Sequence, residues 1–285
     1  DRFNTLQMGM VAVDRIFSIF ENDSIINETG DIDKANFKGK IDFRNVRFSY
    51  ISNIEVLKGI SFSVKPGETL AIVGPTGSGK TTIINLISRL YNLNSGQINI
   101  DDRSINEYKL NCLRSNIGVI LQDVFLFADT IQNNVTLFDE NISKDEVINA
   151  AKELGIHEFI MSLPENYKFN VQERGNTLSA GQKQLIAFMR VLIKNPDILI
   201  LDEATSSIDS YSEDLTKNAT KKITKNKTSI IIAHRLATIE AASTIIYMED
   251  GVILETGNHY ELIELENGRY RKMHQEQFSN TEILD

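Results

Sequence analysis

The sequence carries a single cysteine, Cys112, in 285 residues, so no internal disulfide can form. That suits a reducing compartment, and Cys112 reads as a small buried residue without chemistry of its own. A basic surplus is also missing. The formal net charge is -9, and a chain this acidic is a poor non-specific partner for nucleic acid, so no nucleic-acid partner is expected. Long apolar runs are absent as well. The best of them, Ile198-Leu201 and Ile230-Ala233, have the length of buried strands and fall far short of the roughly 20 residues that cross a bilayer. No basic segment precedes a long apolar stretch, so no signal peptide is expected. Internal repeats and low-complexity segments are not found. The chain opens on Asp1 rather than Met, and the expectation is a piece excised from a longer protein.

What is present is ordinary in bulk. Hydrophobic residues make up 41% and charged residues 24%, enough for one or two domains with a core that needs neither disulfide nor metal. Leu6, Met10, Val13, Ile16, Phe17 and Phe20 recur at near-helical spacing, which predicts a helix from Asp1 to about Glu21. The polar, turn-rich stretch 22–40 reads as a linker. Ile41-Tyr50 and Ile60-Val64 alternate as half-buried strands do. Thr69-Val73 is a buried strand, Thr81-Leu90 a helix, and Gln97-Ile100 another strand. From about Val124 the strand signals fade, and Lys144-Leu154 and His157-Leu163 look helical, so a helical insert is expected over about 124–195. Alternation returns with a helix at Ser179-Lys194 and strands at Ile198-Asp202, Thr228-Ala233 and Thr244-Glu249. Glu249-Asp250-Gly251 reads as a hairpin turn. Buried strands alternating with helices predict an α/β fold with a largely parallel sheet.

One glycine-rich segment carries chemistry. Gly74-Pro75-Thr76-Gly77-Ser78-Gly79-Lys80-Thr81 matches the phosphate-binding loop of P-loop NTPases and lies between a predicted strand and helix, as it must. Glycines let the backbone wrap phosphates with its N–H groups pointing inward. The helix that follows offers about half a positive charge at its N-terminus. In this pattern Lys80 neutralises the β- and γ-phosphates, Thr81 offers a hydroxyl to Mg²⁺, and Thr82 extends the nucleotide contact. A chance glycine turn is the rival reading, and the strand-helix context disfavours it. Further on, Ile198-Leu199-Ile200-Leu201-Asp202-Glu203 is an apolar strand ending in two carboxylates. Asp202 suits an Mg²⁺ role, usually through water. Glu203 suits a general base that polarises the attacking water.

Leu178-Ser179-Ala180-Gly181-Gln182 resembles the signature of the ATP-binding-cassette (ABC) family, usually Leu-Ser-Gly-Gly-Gln. Other marks of that family fall in order around it. Gln122, in Val119-Ile120-Leu121-Gln122-Asp123, resembles the Q-loop glutamine. Ser206-Ser207-Ile208-Asp209 resembles the D-loop, His234 the switch histidine, and Tyr50 the aromatic residue of the A-loop. The resemblance spans about Ile41 to Glu276. It implies a P-loop NTPase core of ABC type, with a mainly parallel sheet, an antiparallel β subdomain and a helical subdomain, over about 41–278, with 279–285 as a tail. It implies ATP as substrate with Mg²⁺. Tyr50 would stack on adenine. Gln122 would touch Mg²⁺, and His234 would touch the γ-phosphate. The resemblance also implies pairing with a second such domain, identical or not, head to tail around two ATP molecules. Each domain lends Ser179, Ala180, Gly181 and Gln182 to its partner's nucleotide.

Two lesser likenesses point to an exporter fused to a transmembrane domain at the cytoplasmic face of the plasma membrane. Glu173-Arg174-Gly175 resembles the X-loop, and Ala12-Val13-Asp14-Arg15-Ile16-Phe17 resembles the tail of a last transmembrane segment. An ordinary amphipathic helix packing on the domain is the rival for the latter. Related chromosome-maintenance ATPases need long coiled-coil heptads between P-loop and signature, which this sequence does not hold. A non-hydrolysing regulatory module of the same family would not need Glu203 and His234, and both are present. The sequence departs from the pattern at Ala180, where glycine is usual, and alanine tolerates positive φ poorly. Gly181 is retained, so a working site is expected.

Overall fold

The computed structural model describes residues 2–20, 26, 30–202, 210–233 and 235–281. Helix α1 (Arg2–Phe20) opens the chain. Strands β1 (Ile41–Phe48) and β2 (Leu57–Val64) lead to β3 (Thr69–Val73) and α2 (Lys80–Ile87). Then come β4 (Ser95–Ile100), β5 (Arg103–Ser104), α3 (Leu110–Ser115) and β6 (Ile117–Ile120). A helical stretch follows, with α4 (Ile131–Thr136), α5 (Lys144–Leu154), α6 (His157–Ser162) and α7 (Ala180–Lys194). The chain closes with β7 (Ile198–Asp202), α8 (Ser210–Thr224), β8 (Thr228–Ile232), α9 (Leu236–Glu240), β9 (Thr244–Glu249), β10 (Val252–Gly257), α10 (His259–Glu264) and α11 (Arg269–Thr281).

Two sheets organise these elements. The larger has the order β10-β9-β3-β8-β7-β6. Its strands are parallel except for the β9–β10 hairpin. The sequences of β7 and β8 are buried along their whole length, which is why they read as apolar runs rather than alternations. The smaller sheet, β2-β1-β4-β5, is antiparallel. There β1 is buried throughout 41–43 and alternates only over 45–48, with a register shift at Arg44–Arg47. The expected α/β architecture with an antiparallel β part and a helical part is the one observed.

One core cluster fills the space between the two sheets, drawing Phe43, Leu57, Ile72 and Ile100 from both and Ile84 from α2. A second lies on the other face of the large sheet, under α4–α8. The sheets are also tied at an edge. The Lys58 N–H donates to the carbonyl of Gly251 at 2.9 Å. Asp250 and Gly251 both have positive φ at the tip of the β9–β10 hairpin, as a tight two-residue turn requires.

Helix ends follow local chemistry. Ser143 with Glu146, Ser179 with Gln182, and Asn258 with Glu261 form capping boxes at α5, α7 and α10. Gly155 ends α5 in the left-handed conformation. At the far end of α2, Arg114 donates to the carbonyls of Ser88 and Arg89 at 3.1 and 2.8 Å. Those orphaned groups are thus satisfied and α2 is held at its C-terminal end.

The polar stretch 30–40 is less idle than its composition implies. Phe37 is buried edge-on against Tyr108, and its N–H donates to the Asp197 carboxylate at 3.0 Å. The N–H groups of Lys38, Gly39 and Lys40 converge on the carboxylate of Asp101. Helix α1, by contrast, is exposed from Arg2 to Ser18, so it does not pack on the domain as an ordinary amphipathic helix would. No described helix is long and apolar enough to cross a membrane.

Candidate functional site

The loop from Gly74 to Gly79 leaves β3 at the centre of the large sheet and enters α2. Its glycines are required for different reasons. Gly74 has φ 141°, and a Cβ there would sit 1.9 Å from the carbonyl oxygen of Met248 on β9. Gly77 has φ 84° with open space around it, the surface a phosphate needs for close approach. Gly79 is the N-cap of α2 in a left-handed conformation, with no side chain capping the helix. The N–H groups of the first turn are therefore left to an external acceptor.

Lys80 is buried to 7% exposure. Its ammonium donates to the carbonyls of Gly74 and Pro75, both at 2.8 Å, and to Ser78 Oγ at 3.4 Å. Burial draws its pKa below the ordinary lysine value, and the charge of Asp202 opposes that. Asp202, at the end of β7, is 8% exposed. Burial raises its pKa, Lys80 pulls it down, and Asp123 pushes it up again.

A cavity of about 420 Å³ opens over this loop, lined among others by Thr76, Gly77, Lys80, Thr81, Gln122 and Asp202. The loop, the acidic strand end and Gln122, two residues after β6, thus converge, although they are far apart in sequence. A hydroxyl, an amide oxygen and a carboxylate all border this space. An all-oxygen donor set of that kind fits a hard dication such as Mg²⁺.

Tyr50 stands 44% exposed. Its hydroxyl donates to Thr82 Oγ1 at 3.2 Å and accepts from Asn85 Nδ2 at 2.9 Å. Phe48 and Tyr91 meet it edge-on, with centroids at 4.7 and 4.9 Å. Sequence reading missed Asn85 and Tyr91, because β1 and α2 are brought together only by the docking of the two sheets. It also missed Val56, which lines the cavity, and Asp123, whose charge acts on Asp202.

The signature lies elsewhere. Ser179 and Ala180 are exposed at the start of α7 and Gly181 is buried. Ser179 Oγ accepts the Gln182 N–H at 3.3 Å, and Gln182 Oε1 accepts the Ser179 N–H at 2.9 Å. None of these residues lines the cavity over the P-loop. Ala180 is the first helical residue and has no positive φ, so its methyl carries no backbone strain. The expected difficulty with alanine does not arise.

The segment just before α7 is strained instead. Gln172 and Arg174 hold φ of 61° and 52° without being glycine. Arg190, on α7, donates to the carbonyls of Asn134 and Phe125 at 2.7 and 3.0 Å. That joins the signature helix to the stretch that follows Gln122. Strands β7 and β8 are neighbours, with Asp202 opposite Ile232. Glu203, Asp209 and His234 lie outside the described residues.

The family model described as ABC transporter matches residues 57–206. The chain belongs to the ABC transporter family. A putative multidrug export ATP-binding/permease protein of Bacillus subtilis is 42% identical over 265 residues, 92% of this chain and 46% of that protein. ATP-binding cassette sub-family B member 6 of Mus musculus is 40% identical over 283 residues, 99% of this chain and 34% of that protein. Among solved structures, a bacterial Atm1-family ABC exporter with ATP bound matches with a TM-score of 0.85 and 36% identity, over 96% of this chain and 48% of that one. The chain thus spans about half the length, or less, of the ABC proteins it matches. The matched stretch holds both the P-loop and the signature.

Proposed function

We propose that this ABC domain is the motor of a membrane exporter, acting as one of two nucleotide-binding domains that close head to tail on two ATP molecules. The reading is carried by one observation. The phosphate cradle and the signature are both formed, yet no signature residue borders the cavity over the cradle. A second domain, identical or different, has to supply Ser179, Ala180, Gly181 and Gln182 to the open side. Backbone N–H groups of Thr76–Thr82 and the Lys80 ammonium hold the phosphates, and Tyr50 presents its exposed face to the adenine.

Thr81, Gln122 and Asp202 are the residues that would hold Mg²⁺. The ion would neutralise negative charge that develops on the phosphates in transfer. Glu203 accepts the proton of the attacking water, His234 meets the γ-phosphate, and Asp209 joins the two domains. The motor serves a transmembrane domain belonging to the same transporter, at the cytoplasmic face of the plasma membrane.

Glu203→Gln is the test. The variant is expected to bind ATP as before, to lose nearly all turnover, and to accumulate as an ATP-bound dimer on size exclusion. Turnover near that of the parent chain would end the general-base assignment.

A further inference from the structure

Three helices meet in the C-terminal part of the domain. Glu240 ends α9, His259 begins α10, and His274 lies in α11. One ligating atom from each falls within 4.8 Å of the others. His274 Nε2 and Glu240 Oε1 are already 2.9 Å apart, and the two imidazoles lie 5.3 Å apart, centroid to centroid. Tetrahedral zinc, with bonds of about 2.0–2.1 Å, needs its ligand atoms roughly 3.3 Å apart. Small side-chain rotations separate the arrangement from that geometry.

An outer contact is built in as well. His259 Nδ1 is 2.8 Å from the hydroxyl of Tyr270, and Tyr270 is fully buried. With Nδ1 engaged by that hydroxyl, Nε2 is the His259 nitrogen left available to a cation. Hydrogen bonds of this kind orient metal-binding histidines.

We propose that Glu240, His259 and His274 form a site for a divalent transition-metal ion, zinc by its donor set, that pins α9 to the C-terminal helices. Two imidazoles and one carboxylate suit zinc better than magnesium or calcium, and three protein ligands leave a position for water. The ion would join helices otherwise linked here by the Glu240–His274 and His259–Tyr270 contacts. Helix α9 starts two residues after His234 in the sequence, so the clamp would bear on the segment that carries the switch histidine.

Calorimetric titration of the 285-residue chain with zinc chloride tests this. One zinc per chain is expected. Glu240→Gln and His274→Gln should each weaken binding about 10-fold or more. Tyr270→Phe, which removes only the outer hydrogen bond, should weaken it about 10-fold. ATP affinity should be unchanged in all three, which separates loss of the ion from loss of the fold. The absence of zinc binding overturns the proposal. So does zinc binding in Glu240→Gln and His274→Gln as strong as in the parent chain. Should Tyr270→Phe fail to fold, Glu240→Gln decides alone, since its carboxylate is exposed.

Discussion

Two helix N-termini in this chain bear on phosphate, and they are finished in opposite ways. Helix α2 starts from a left-handed glycine with no side-chain cap, and its first lysine is buried. Helix α7 starts from Ser179 and closes a capping box on itself at an exposed surface. The first is an incomplete structure that an anion completes. The second is already complete, and on the proposed function it would meet an anion held by another molecule. On that reading one motif would hold a ligand and the other would only close over it. At α2 the uncapped start leaves N–H groups for an anion, and the capped start of α7 is a stable surface that can also dock.

Lys80→Ala attacks the first terminus directly and should have the largest effect. A charge-assisted hydrogen bond of about 1.5–3 kcal/mol is lost, so ATP affinity should fall about 10- to 100-fold by calorimetry. Unchanged affinity would show that the uncapped helix alone suffices.

Asp202 sharpens the comparison through pH. Burial raises its pKa, so its ionised form costs the folded chain stability above that value, and the cost fades as pH falls through it. A cation beside the carboxylate offsets the cost. The gain in melting temperature from magnesium with nucleotide, over nucleotide alone, should therefore shrink on acidification. The shrinkage should begin at a higher pH than an ordinary aspartate would give. Asp202→Asn should remove both the gain and its pH dependence, and a pH-independent gain in the parent chain would contradict the assignment.

Ser179→Ala should have the smallest effect on a single chain. Loss of an N-cap costs about 1 kcal/mol, visible in denaturant unfolding, while the chain's own ATP affinity stays put. A drop in that affinity would erase the separation between the two termini.

Much of this was readable in advance because it is local. The P-loop glycines, the carboxylate at the end of an apolar strand and the Ser179 cap each state their geometry within a few residues. Strands β3, β7 and β9 have the bounds their apolar runs predict. Helix α5 likewise keeps its predicted bounds, because Ser143 and Gly155 punctuate it. Strand β6 was not readable. It is four residues long and contains Gly118, whose missing Cβ leaves room for Pro196 at 2.6 Å. The stretch 30–40 misled for a different reason. It is held by backbone N–H groups on Asp101, and composition does not report where backbone donors go. Asn85 and Tyr91 beside Tyr50 were invisible because their proximity is a property of two docked sheets. The metal-ligating trio is likewise assembled from three helices, with no spacing that a motif could express.

The grip of Lys80 on the carbonyls of Gly74 and Pro75 has a kinetic consequence. The ammonium already sits in a shell of oxygens, held in place by the loop it organises. Arrival of a nucleotide is then an exchange of oxygen acceptors around one nitrogen, not the folding of a slack loop around a guest. Association should run close to the encounter rate, and selectivity among nucleotides should be expressed in how long each one stays.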